Sequence, residues 1–170
     1  MTYVSCFDSP IGQMLLRQDG DALTGLWLEG QKYYPVEFPA DAHWEDTPLL
    51  EQTKDWLNQY FAGQRPQISQ LPLNPRGTDF QRLVWKQLCR IPYGQTVTYG
   101  DLARTLGMGS PRAVGGAVGR NPISIIIPCH RVLGTGGKLT GYAGGVERKQ
   151  WLLHHEAADA PTAQAAIRSL

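Results

Sequence analysis

The strongest constraint on this chain is a short run of branched apolar residues that ends at a proline, with a cysteine and a histidine directly after it. The run covers residues 123–127 and contains four isoleucines and one serine. It is too short for an isolated helix, so it predicts a buried extended segment. Pro128 ends the run, because proline lacks a backbone N–H and restricts the residue before it. Cys129 and His130 are therefore expected on a rigid, buried stem.

Cys129 is the first candidate functional residue. A cysteine reacts as its thiolate, and neighbouring imidazole and basic groups favour that form. His130 and Arg131 follow it directly in the sequence. The alternative is a buried structural cysteine, which is the commoner role of a free cysteine. The basic neighbours favour the reactive interpretation.

The composition is that of a globular protein with one or two domains. None of the apolar runs among the 170 residues approaches the roughly 20 residues that span a bilayer. The N-terminus lacks the charged and apolar pattern of a secretory signal. The three cysteines are an odd number, which without such a signal indicates free thiols in a reducing compartment. We therefore expect a cytoplasmic protein that does not associate with membranes.

Charge is distributed unevenly along the chain. Residues 1–75 hold four lysines and arginines against ten acidic residues, whereas residues 76–156 hold eleven against four. The two segments therefore carry formal charges of −6 and +7. A basic segment of this kind favours a polyanionic partner such as nucleic acid. A solvated surface with uneven charge is the alternative, and charge alone does not exclude it.

The first half of the sequence predicts a small sheet followed by a helix. Short strands separated by turn residues, in a simple antiparallel meander, are predicted at residues 4–7, 13–18 and 23–28. Residues 33–44 have no clear period and are either a loop or an edge strand. Thr47 and Pro48 indicate the start of a helix that stops at Gly63.

A proline-rich segment separates the two halves. Residues 63–77 contain three prolines and no helical period, and the charge changes sign there. We interpret the segment as a linker. The predicted organisation is an N-terminal domain with its linker at residues 1–76, a second domain at residues 77–157, and a small-residue tail at residues 158–170 that is peripheral or disordered.

The second half predicts a helix-turn-helix. A capping box at Thr78 opens one helix. Its predicted apolar face comprises Phe80, Leu83, Val84, Leu88 and Ile91. A second capping box at Thr98 opens a short helix, and Ser110 precedes another that runs to about Gly119. Two short helices joined by a glycine-containing turn are typical of a helix-turn-helix.

The second of these short helices contains three glycines, at positions 115, 116 and 119. Each destabilises a helix by about 0.8–1 kcal/mol relative to alanine. Small residues are useful where a backbone must closely approach a DNA groove, and equally where two helices pack closely. Arg112 and Arg120 at the two ends favour the groove interpretation.

Residues 134–145 are rich in glycine and do not match a phosphate-binding loop. We interpret them as a mobile or closely packed loop. Residues 146–156 then predict a helix with Trp151, Leu152 and Leu153 facing inward.

The sequence Pro128-Cys129-His130-Arg131 resembles the active-site motif of the O6-alkylguanine-DNA alkyltransferases, also called methylated-DNA–protein-cysteine methyltransferases. Asn121-Pro122 fits the same motif, and the likeness extends over residues 78–156 and more loosely over residues 8–12. The resemblance implies an α+β fold. A small ribonuclease-H-like domain of sheet plus helix would precede a mainly helical, winged-helix-like domain that carries the helix-turn-helix.

The resemblance also implies an activity: direct-reversal repair of DNA. The alkyl group of O6-alkylguanine, and also of O4-alkylthymine, would be transferred irreversibly to Cys129, once per protein molecule. The protein would bind double-stranded DNA through the minor groove and flip the damaged nucleotide, because the alkyl group lies inside a stacked duplex. It would act as a monomer and need no cofactor.

Individual roles follow from the same resemblance. Glu156, in His155-Glu156 after Trp151-Leu152-Leu153, would orient His130, which would activate Cys129 through a water. From spacing alone, Glu156 would be a surface residue. Asn121 would brace the turn that carries the cysteine.

The resemblance also implies which residues contact the DNA and the damaged base. Tyr99 would help to rotate the nucleotide and hydrogen-bond the base, and Arg112 would fill the space that the flipped base leaves. The remaining residues expected to contact DNA are Ala113, Gly115 and Gly116. The pocket for the base would be walled by Tyr142, Ala143 and Gly144, and the carbonyl of Val132 would bind the guanine amino group.

The sequence predicts no metal site, because no histidine pair has zinc-helix spacing and His43 and Cys6 are poor ligands for a zinc in the first domain. Two rival functions remain open. One is a non-catalytic lesion binder related to the family, whose known form has tryptophan in place of the cysteine. The other is a cysteine hydrolase that uses Cys129, His130 and Glu156.

Overall fold

A computed structural model describes residues 1–35 and 37–158 and confirms the α+β class. The sheet at the start of the chain is a meander in the order β3-β2-β1-β4. Its strands are β1 (Thr2–Ser9), β2 (Gly12–Asp19), β3 (Ala22–Leu28) and β4 (His43–Trp44). The three long strands are antiparallel, as predicted, and the two-residue β4 adds to β1 in parallel. Part of the ambiguous segment 33–44 is therefore an edge strand.

Apolar side chains from neighbouring strands hold the sheet together. Val4, Leu15 and Trp27 come from three neighbouring strands and form one buried cluster, against which Tyr34 and Phe38 pack. Leu15 pairs directly with Trp27 across β2 and β3. Cross-strand pairs of this kind stabilise the register, because a slip by one residue would separate the paired side chains.

Helix α1 (Pro48–Phe61) begins where the sequence predicts. The Thr47 hydroxyl accepts a hydrogen bond of 3.1 Å from the Leu50 amide, which satisfies one of the free N–H groups of the first turn. Its buried residues are Leu50, Thr53, Trp56, Leu57 and Tyr60. The proline-rich segment that follows contains a short 3-10 helix (Ile68–Gln70), and the indole of Trp56 donates to the Gln67 carbonyl at 2.9 Å.

The described chain divides into two compact units. The first comprises Met1–Arg76 together with Pro122–Ser124, and the second comprises Gly77–Asn121 together with the described residues after Ser124. The three-residue segment belongs with the first unit because Ile123 forms a parallel bridge with Leu26.

The second unit is mainly helical, with one two-stranded parallel ladder of β5 (Val97–Thr98) and β6 (Val132–Leu133). Its helices are α2 (Asp79–Leu88), α3 (Tyr99–Leu106), α4 (Pro111–Gly119) and α5 (Val146–Ala157). Both predicted capping boxes are present, at Thr78 and Thr98. The helices therefore start where the sequence indicates.

The buried face of α2 differs from the predicted one. Leu83 is 40% exposed, whereas Trp85 is buried and its indole donates to the Ala117 carbonyl of α4 at 2.8 Å. Trp85 rather than Leu83 is on the buried face of α2. Its larger side chain fills more space, and its N–H group forms a hydrogen bond inside the unit. Placing Leu83 on the buried face was wrong.

Helices α3 and α4 form the predicted helix-turn-helix pair. Gly107 caps α3 in the left-handed conformation, with φ +67°, which residues with a side chain rarely adopt. The Ser110 hydroxyl then caps α4 by accepting from the Ala113 amide at 3.1 Å.

The apolar run before the cysteine is buried but not extended, so the prediction of an extended segment was wrong. Only Ile123 makes a strand-like bridge, and the chain then turns. Ile125 lies in the left-handed region with φ +71°, an unusual conformation for a β-branched residue. Burial of Ile125, Ile126 and Ile127, rather than pairing in a sheet, accounts for the apolar composition.

Helix α5 also departs in one detail from its prediction. Leu152 and Leu153 are buried, but Trp151 is only half-buried and stacks on His155, with ring centroids 5.0 Å apart. The predicted tail lies outside the described residues, except for Ala158. Within residues 1–35 and 37–158, no helix combines the length and apolar character needed to cross a membrane.

Candidate active site

Cys129 begins a short 3-10 helix (Cys129–Arg131) directly after Pro128. Its side chain is almost fully buried, and its amide donates to the Ile127 carbonyl at 2.8 Å. The side-chain amide of Asn121 donates to the same carbonyl at 2.8 Å. The structure therefore places the Asn121 side chain on the turn that precedes the cysteine.

The environment of the thiol has opposing effects on its pKa. Burial raises the pKa of Cys129, while a hydrogen bond from the Asn121 side chain and the positive charge of Lys149 lower it. Burial prevails, and the pKa is raised above its ordinary value. The resting residue is therefore a neutral thiol at pH 7, and forming the thiolate requires a base.

His130 is a suitable base. Its ring is fully buried, and Nε2 lies 2.5 Å from Oε2 of Glu156. Burial lowers the pKa of His130 despite the nearby carboxylate, so the imidazole is neutral at pH 7. An ionised carboxylate has no proton to donate, so Glu156 can only accept a hydrogen bond from Nε2 of His130. The single ring proton of the neutral imidazole is therefore on Nε2, and Nδ1 can accept a proton. Nδ1 has no hydrogen-bond partner in the described part of the chain.

Glu156 is held ionised inside the unit by several donors. Nε of Arg131 donates to Oε1 at 2.7 Å, Nη2 donates to Oε2 at 3.2 Å, and the Gly94 amide donates to Oε1 at 3.3 Å. Burial alone raises the pKa of Glu156, but His130 and Arg131 outweigh it and hold the pKa well below its ordinary value. Because His130 is neutral, the permanent charge of Arg131 is the partner that keeps the carboxylate ionised.

Arg131 is fixed in turn by contacts on its other side. Nη1 donates to the Ile91 carbonyl at 2.7 Å, and the guanidinium lies 5.6 Å from the centre of the Tyr93 ring. His130, Glu156 and Arg131 thus form a buried chain of imidazole, carboxylate and guanidinium, and the imidazole belongs to the residue that follows Cys129. Every charged member of this chain keeps a partner, and the imidazole at its end can accept a proton.

Tyr99 and Lys149 lie beside the cysteine. Nζ of Lys149 is 5.9 Å from the centre of the Tyr99 ring, and the lysine is fully buried. Burial lowers the pKa of Lys149 to about 8, and a Cys129 thiolate opposes that shift. Burial also raises the pKa of Tyr99, so its phenol is protonated at neutral pH.

Apart from Tyr99, which begins α3, the predicted DNA-contacting residues lie on α4, outside this buried cluster. Arg112, Ala113 and Gly116 are exposed. Gly115 faces Tyr99, since a Cβ built there would lie 3.6 Å from the nearest ring carbon. Tyr99 therefore lies against the small-residue helix.

The predicted pocket residues are only partly exposed. Tyr142, Ala143 and Gly144 are half-buried in the loop before α5, and the Gly145 amide donates to the Tyr142 carbonyl at 2.9 Å. Val132 is buried in β6, opposite Val97.

Sequence reasoning placed Arg131 beside the cysteine as a basic neighbour but did not predict its ion pair with Glu156, and it assigned no role to Lys149. A signal for Lys149 exists in the helical period, because residues 149, 152, 153 and 156 fall on one face of α5. A lysine and a glutamate at the two ends of an apolar stripe indicate buried charges with partners. The residues described provide no group of three or more His, Cys, Asp and Glu side chains that could hold a metal ion.

Comparison with known proteins gives matches over both halves of the chain. The family described as 6-O-methylguanine DNA methyltransferase, ribonuclease-like domain, matches residues 2–75. The family described as 6-O-methylguanine DNA methyltransferase, DNA binding domain, matches residues 79–158.

Individual relatives match nearly the whole chain. A methylated-DNA–protein-cysteine methyltransferase of Mycobacterium tuberculosis is 47% identical over 163 residues, covering 95% of this chain and 96% of the relative. One from Haemophilus influenzae is 43% identical over 157 residues, covering 91% and 86%. The crystal structure of Mycobacterium tuberculosis OGT in complex with DNA superposes with a TM-score of 0.83 at 44% identity, covering 96% of this chain and 98% of the other.

Proposed function

Because the chain belongs to the O6-methylguanine DNA methyltransferase family, we propose that it repairs alkylated DNA by direct reversal, as a single-turnover methylated-DNA–protein-cysteine methyltransferase. Cys129 accepts the alkyl group of O6-alkylguanine and keeps it. The observation that carries this proposal is the buried contact of His130 with Glu156 beside a buried Cys129.

The first step is activation of the thiol. Nδ1 of His130 accepts the Cys129 proton, directly or through one water, while Glu156 stabilises the imidazolium that forms. Lys149 adds a positive charge near the sulfur, which favours the thiolate. A neutral resting thiol also limits unwanted reactions of Cys129 before DNA binds.

The second step transfers the alkyl carbon. The Cys129 sulfur forms a bond to that carbon, the carbon–O6 bond breaks, and its electron pair passes to guanine. The Tyr99 phenol donates a proton to the base, which leaves as neutral guanine. Water then reprotonates the Tyr99 phenolate. The His130 imidazolium releases to water the proton that it took from the thiol, so the overall number of protons is unchanged. The thioether is stable in water, so each molecule acts once and no cofactor is required.

Access to the alkyl group requires the nucleotide to leave the duplex. Unstacking costs a few kcal/mol, and a side chain that fills the vacated space offsets part of this. Arg112 is exposed at the start of α4 and is proposed to do so. Ala113, Gly115 and Gly116 let the helix approach the minor groove closely, and Tyr99 helps to rotate the nucleotide.

The flipped base is proposed to bind between the cysteine and the loop before α5. Tyr142, Ala143 and Gly144 form the wall, and the Val132 carbonyl accepts from the guanine amino group. O4-alkylthymine offers the same exocyclic O-alkyl group, and we propose it as a second substrate.

The two domains of the protein have different tasks. Residues 77–157 form the DNA-binding and catalytic domain, residues 1–76 form the accompanying domain with its linker, and residues 158–170 are a tail. The protein acts as a monomer on double-stranded DNA in the cytoplasm, where reducing conditions keep Cys129 available.

A repair assay tests the proposal. The wild-type protein is mixed with a duplex containing one O6-methylguanine, and restored guanine is counted per protein molecule. We expect at most one repair event per molecule, none with Cys129→Ala, and DNA affinity of that variant within about twofold of wild type. The control Cys6→Ala, at an exposed cysteine, retains full repair. Binding without repair by wild type would indicate a lesion binder, and multiple turnover of small esters would indicate a hydrolase.

The flipping role of Arg112 has a separate test. Arg112→Ala is expected to slow repair in duplex DNA on the order of tenfold, and to leave transfer from free O6-benzylguanine unchanged, because the free base needs no flipping. Arg90→Ala removes an equal charge from an exposed position and serves as the control. Equal losses with both substrates would contradict the role.

A further inference from the structure

Lys149 is a buried cation whose charge is not neutralised by an acidic side chain. Its side chain is fully buried, and of the ion pairs that the described residues form, none includes Lys149. Nζ instead donates to the Thr140 carbonyl at 2.8 Å and to the Gly141 carbonyl at 3.2 Å. Burying a charge is costly unless the group is hydrogen-bonded, so these two carbonyls and the ammonium group hold each other in place.

The same lysine also binds the other end of the loop. The backbone amide of Lys149 donates to the Gly145 carbonyl at 3.1 Å, at the start of α5. Lys149 therefore binds the chain on both sides of residues 142–144, through its side chain before them and through its backbone after them. We call these three residues the wall segment, because they are the proposed wall of the base pocket.

The backbone turns at both ends of the wall segment. Gly141 and Gly145 have positive φ angles of 41° and 96°, which residues with a side chain rarely adopt. The Gly145 amide also donates to the Tyr142 carbonyl at 2.9 Å, which closes the segment into a turn. Glycine gives the backbone wide conformational freedom, so the contacts with Lys149 are needed to fix where this turn lies.

Lys149 also relates the wall segment to Tyr99. Nζ lies 5.9 Å from the centre of the Tyr99 ring, within the distance at which a cation is attracted to an aromatic ring. Tyr99 begins α3, whereas Lys149 belongs to α5. One ammonium group thus binds the backbone that leads into the wall segment and lies beside the aromatic ring proposed to contact the base.

We propose that Lys149 is a positioning residue that holds the wall segment at a fixed place relative to Tyr99, and so keeps the pocket ready for the O6-alkylated base. This inference rests on the function proposed above. Positioning acts on the binding of the base, whereas the positive charge of Lys149 near the Cys129 sulfur acts on the transfer step. The two effects can therefore be measured separately.

The physical reason is preorganisation of the pocket. A ligand binds more tightly when the wall of its pocket is already in place, because ordering a flexible segment during binding costs free energy. Without the ammonium group, the carbonyls of Thr140 and Gly141 lose their donor, and the wall segment is held at one end only. Binding of the base therefore weakens, while binding of duplex DNA through α4 is retained.

The test measures binding of free O6-benzylguanine by protein that carries Cys129→Ala, in which no thiol can ionise or react. Lys149→Met is added to this protein, because methionine keeps an unbranched side chain and removes the ammonium group. We expect affinity for the base to fall on the order of tenfold, the effect of losing a hydrogen bond from a charged group. Affinity for undamaged duplex should stay within about twofold, because the buried Lys149 contacts no phosphate. Lys138→Met removes the same group from an exposed position of the loop and should leave base affinity unchanged.

A second readout depends neither on the base nor on repair. Amide hydrogen exchange at residues 140–145 should be faster in Lys149→Met than in wild type, because the segment opens more often, while exchange in α2 and α3 should be unchanged. If Lys149→Met fails to fold, Lys149→Gln is used instead, because its side chain is shorter and uncharged, and the same two effects are expected.

The outcomes separate the two hypotheses. Wild-type protein that transfers nothing to Cys129 from duplex O6-methylguanine overturns the proposed function, while hydrogen exchange still decides whether Lys149 holds the wall segment. Unchanged base affinity in Lys149→Met would overturn the positioning role, even if transfer by the protein with Cys129 intact became slower. Unchanged exchange at residues 140–145, or exchange that increases equally throughout residues 77–157, would overturn it as well.

Discussion

Glu156 is the residue on which the geometry of the buried site depends most. It accepts from His130, from Arg131 and from the Gly94 amide, and it is 1% exposed. Removing one partner of a buried ion pair leaves the other charge without compensation, which is more costly than the pair itself is stabilising. The carboxylate therefore supports both the fold of the second unit and the tautomer of His130.

We expect Glu156→Gln to lower the free energy of unfolding by about 3 kcal/mol or more, because Arg131 stays charged and buried without its partner. Repair should slow as well, since a glutamine does not fix the proton of His130 on Nε2. Denaturant unfolding and single-turnover repair measure the two effects. Glu147→Gln, exposed in the first turn of α5, should change stability by no more than about 0.5 kcal/mol.

The same carboxylate predicts a pH dependence. Its pKa is lower in the folded protein than in the unfolded chain, so its stabilising contribution is complete above the unfolded value, about 4.3, and is lost as the pH falls through the folded value. The stability difference between wild type and Glu156→Gln should therefore be constant near neutral pH and shrink below about pH 4. A difference that grows on acidification would contradict the assignment.

Sequence alone could identify Cys129 and His130 as candidates, because the thiol and the imidazole are adjacent. It could not place Glu156 beside them, because the two segments are far apart in the chain and meet only when α5 packs on the turn at Cys129–Arg131. The resemblance supplied that contact. Lys149 was missed because a lysine is rarely fully buried, although its position on the apolar stripe of α5 gives a signal.

At the scale of whole elements, α4 shows why glycine occurs in a helix. Gly116 is exposed, and a Cβ built there would meet nothing within 4 Å. Packing against another part of the described chain therefore does not require the glycine. Close approach of DNA, the other interpretation of the sequence, is the explanation that the proposed function supports.

The groove interpretation predicts that replacing Gly116 has opposite effects on stability and on DNA binding. Gly116→Ala should stabilise the protein by up to about 1 kcal/mol, since alanine is the better helix former, and should weaken duplex binding, because the methyl group meets the DNA. Thermal unfolding and a binding titration measure the two effects. Gly119→Ala, at the end of the same helix and also in open space, should leave binding unchanged. Unaltered affinity in Gly116→Ala would contradict the groove interpretation.

Helix starts were predicted more reliably than the segment before the cysteine. Thr47, Thr78, Thr98 and Ser110 all cap helices, because capping is a local interaction that the sequence encodes within four residues. Residues 123–127 have the composition of a strand, but Ile125 turns the chain and only Ile123 pairs. That outcome depends on contacts distant in sequence, which composition cannot indicate.

At the scale of the whole molecule, the main feature is the division of charge between the two halves of the chain. Residues 1–75 carry −6 and residues 76–156 carry +7, so the basic half contains both α4 and the buried residues Cys129, His130, Arg131 and Glu156. A basic domain that binds DNA releases counterions from the phosphates, which makes its affinity depend strongly on salt.

We therefore expect the logarithm of duplex affinity to fall linearly with the logarithm of salt concentration, with a slope of about −0.9 for each phosphate neutralised. Transfer from free O6-benzylguanine, which has no phosphate, should change little over the same range and is the control. Fluorescence anisotropy and a transfer assay give the two curves. Duplex affinity that does not depend on salt would contradict a phosphate-binding role for the basic half.

The most direct test of the account is the mass of the peptide that contains Cys129 after the protein has been mixed with one equivalent of duplex carrying O6-methylguanine. We predict that this peptide gains one methyl group in place of the thiol hydrogen, in the same amount as guanine restored, while the peptides containing Cys6 and Cys89 are unchanged. Repair with Cys129 unmodified, or a methyl group on another residue, would contradict the account.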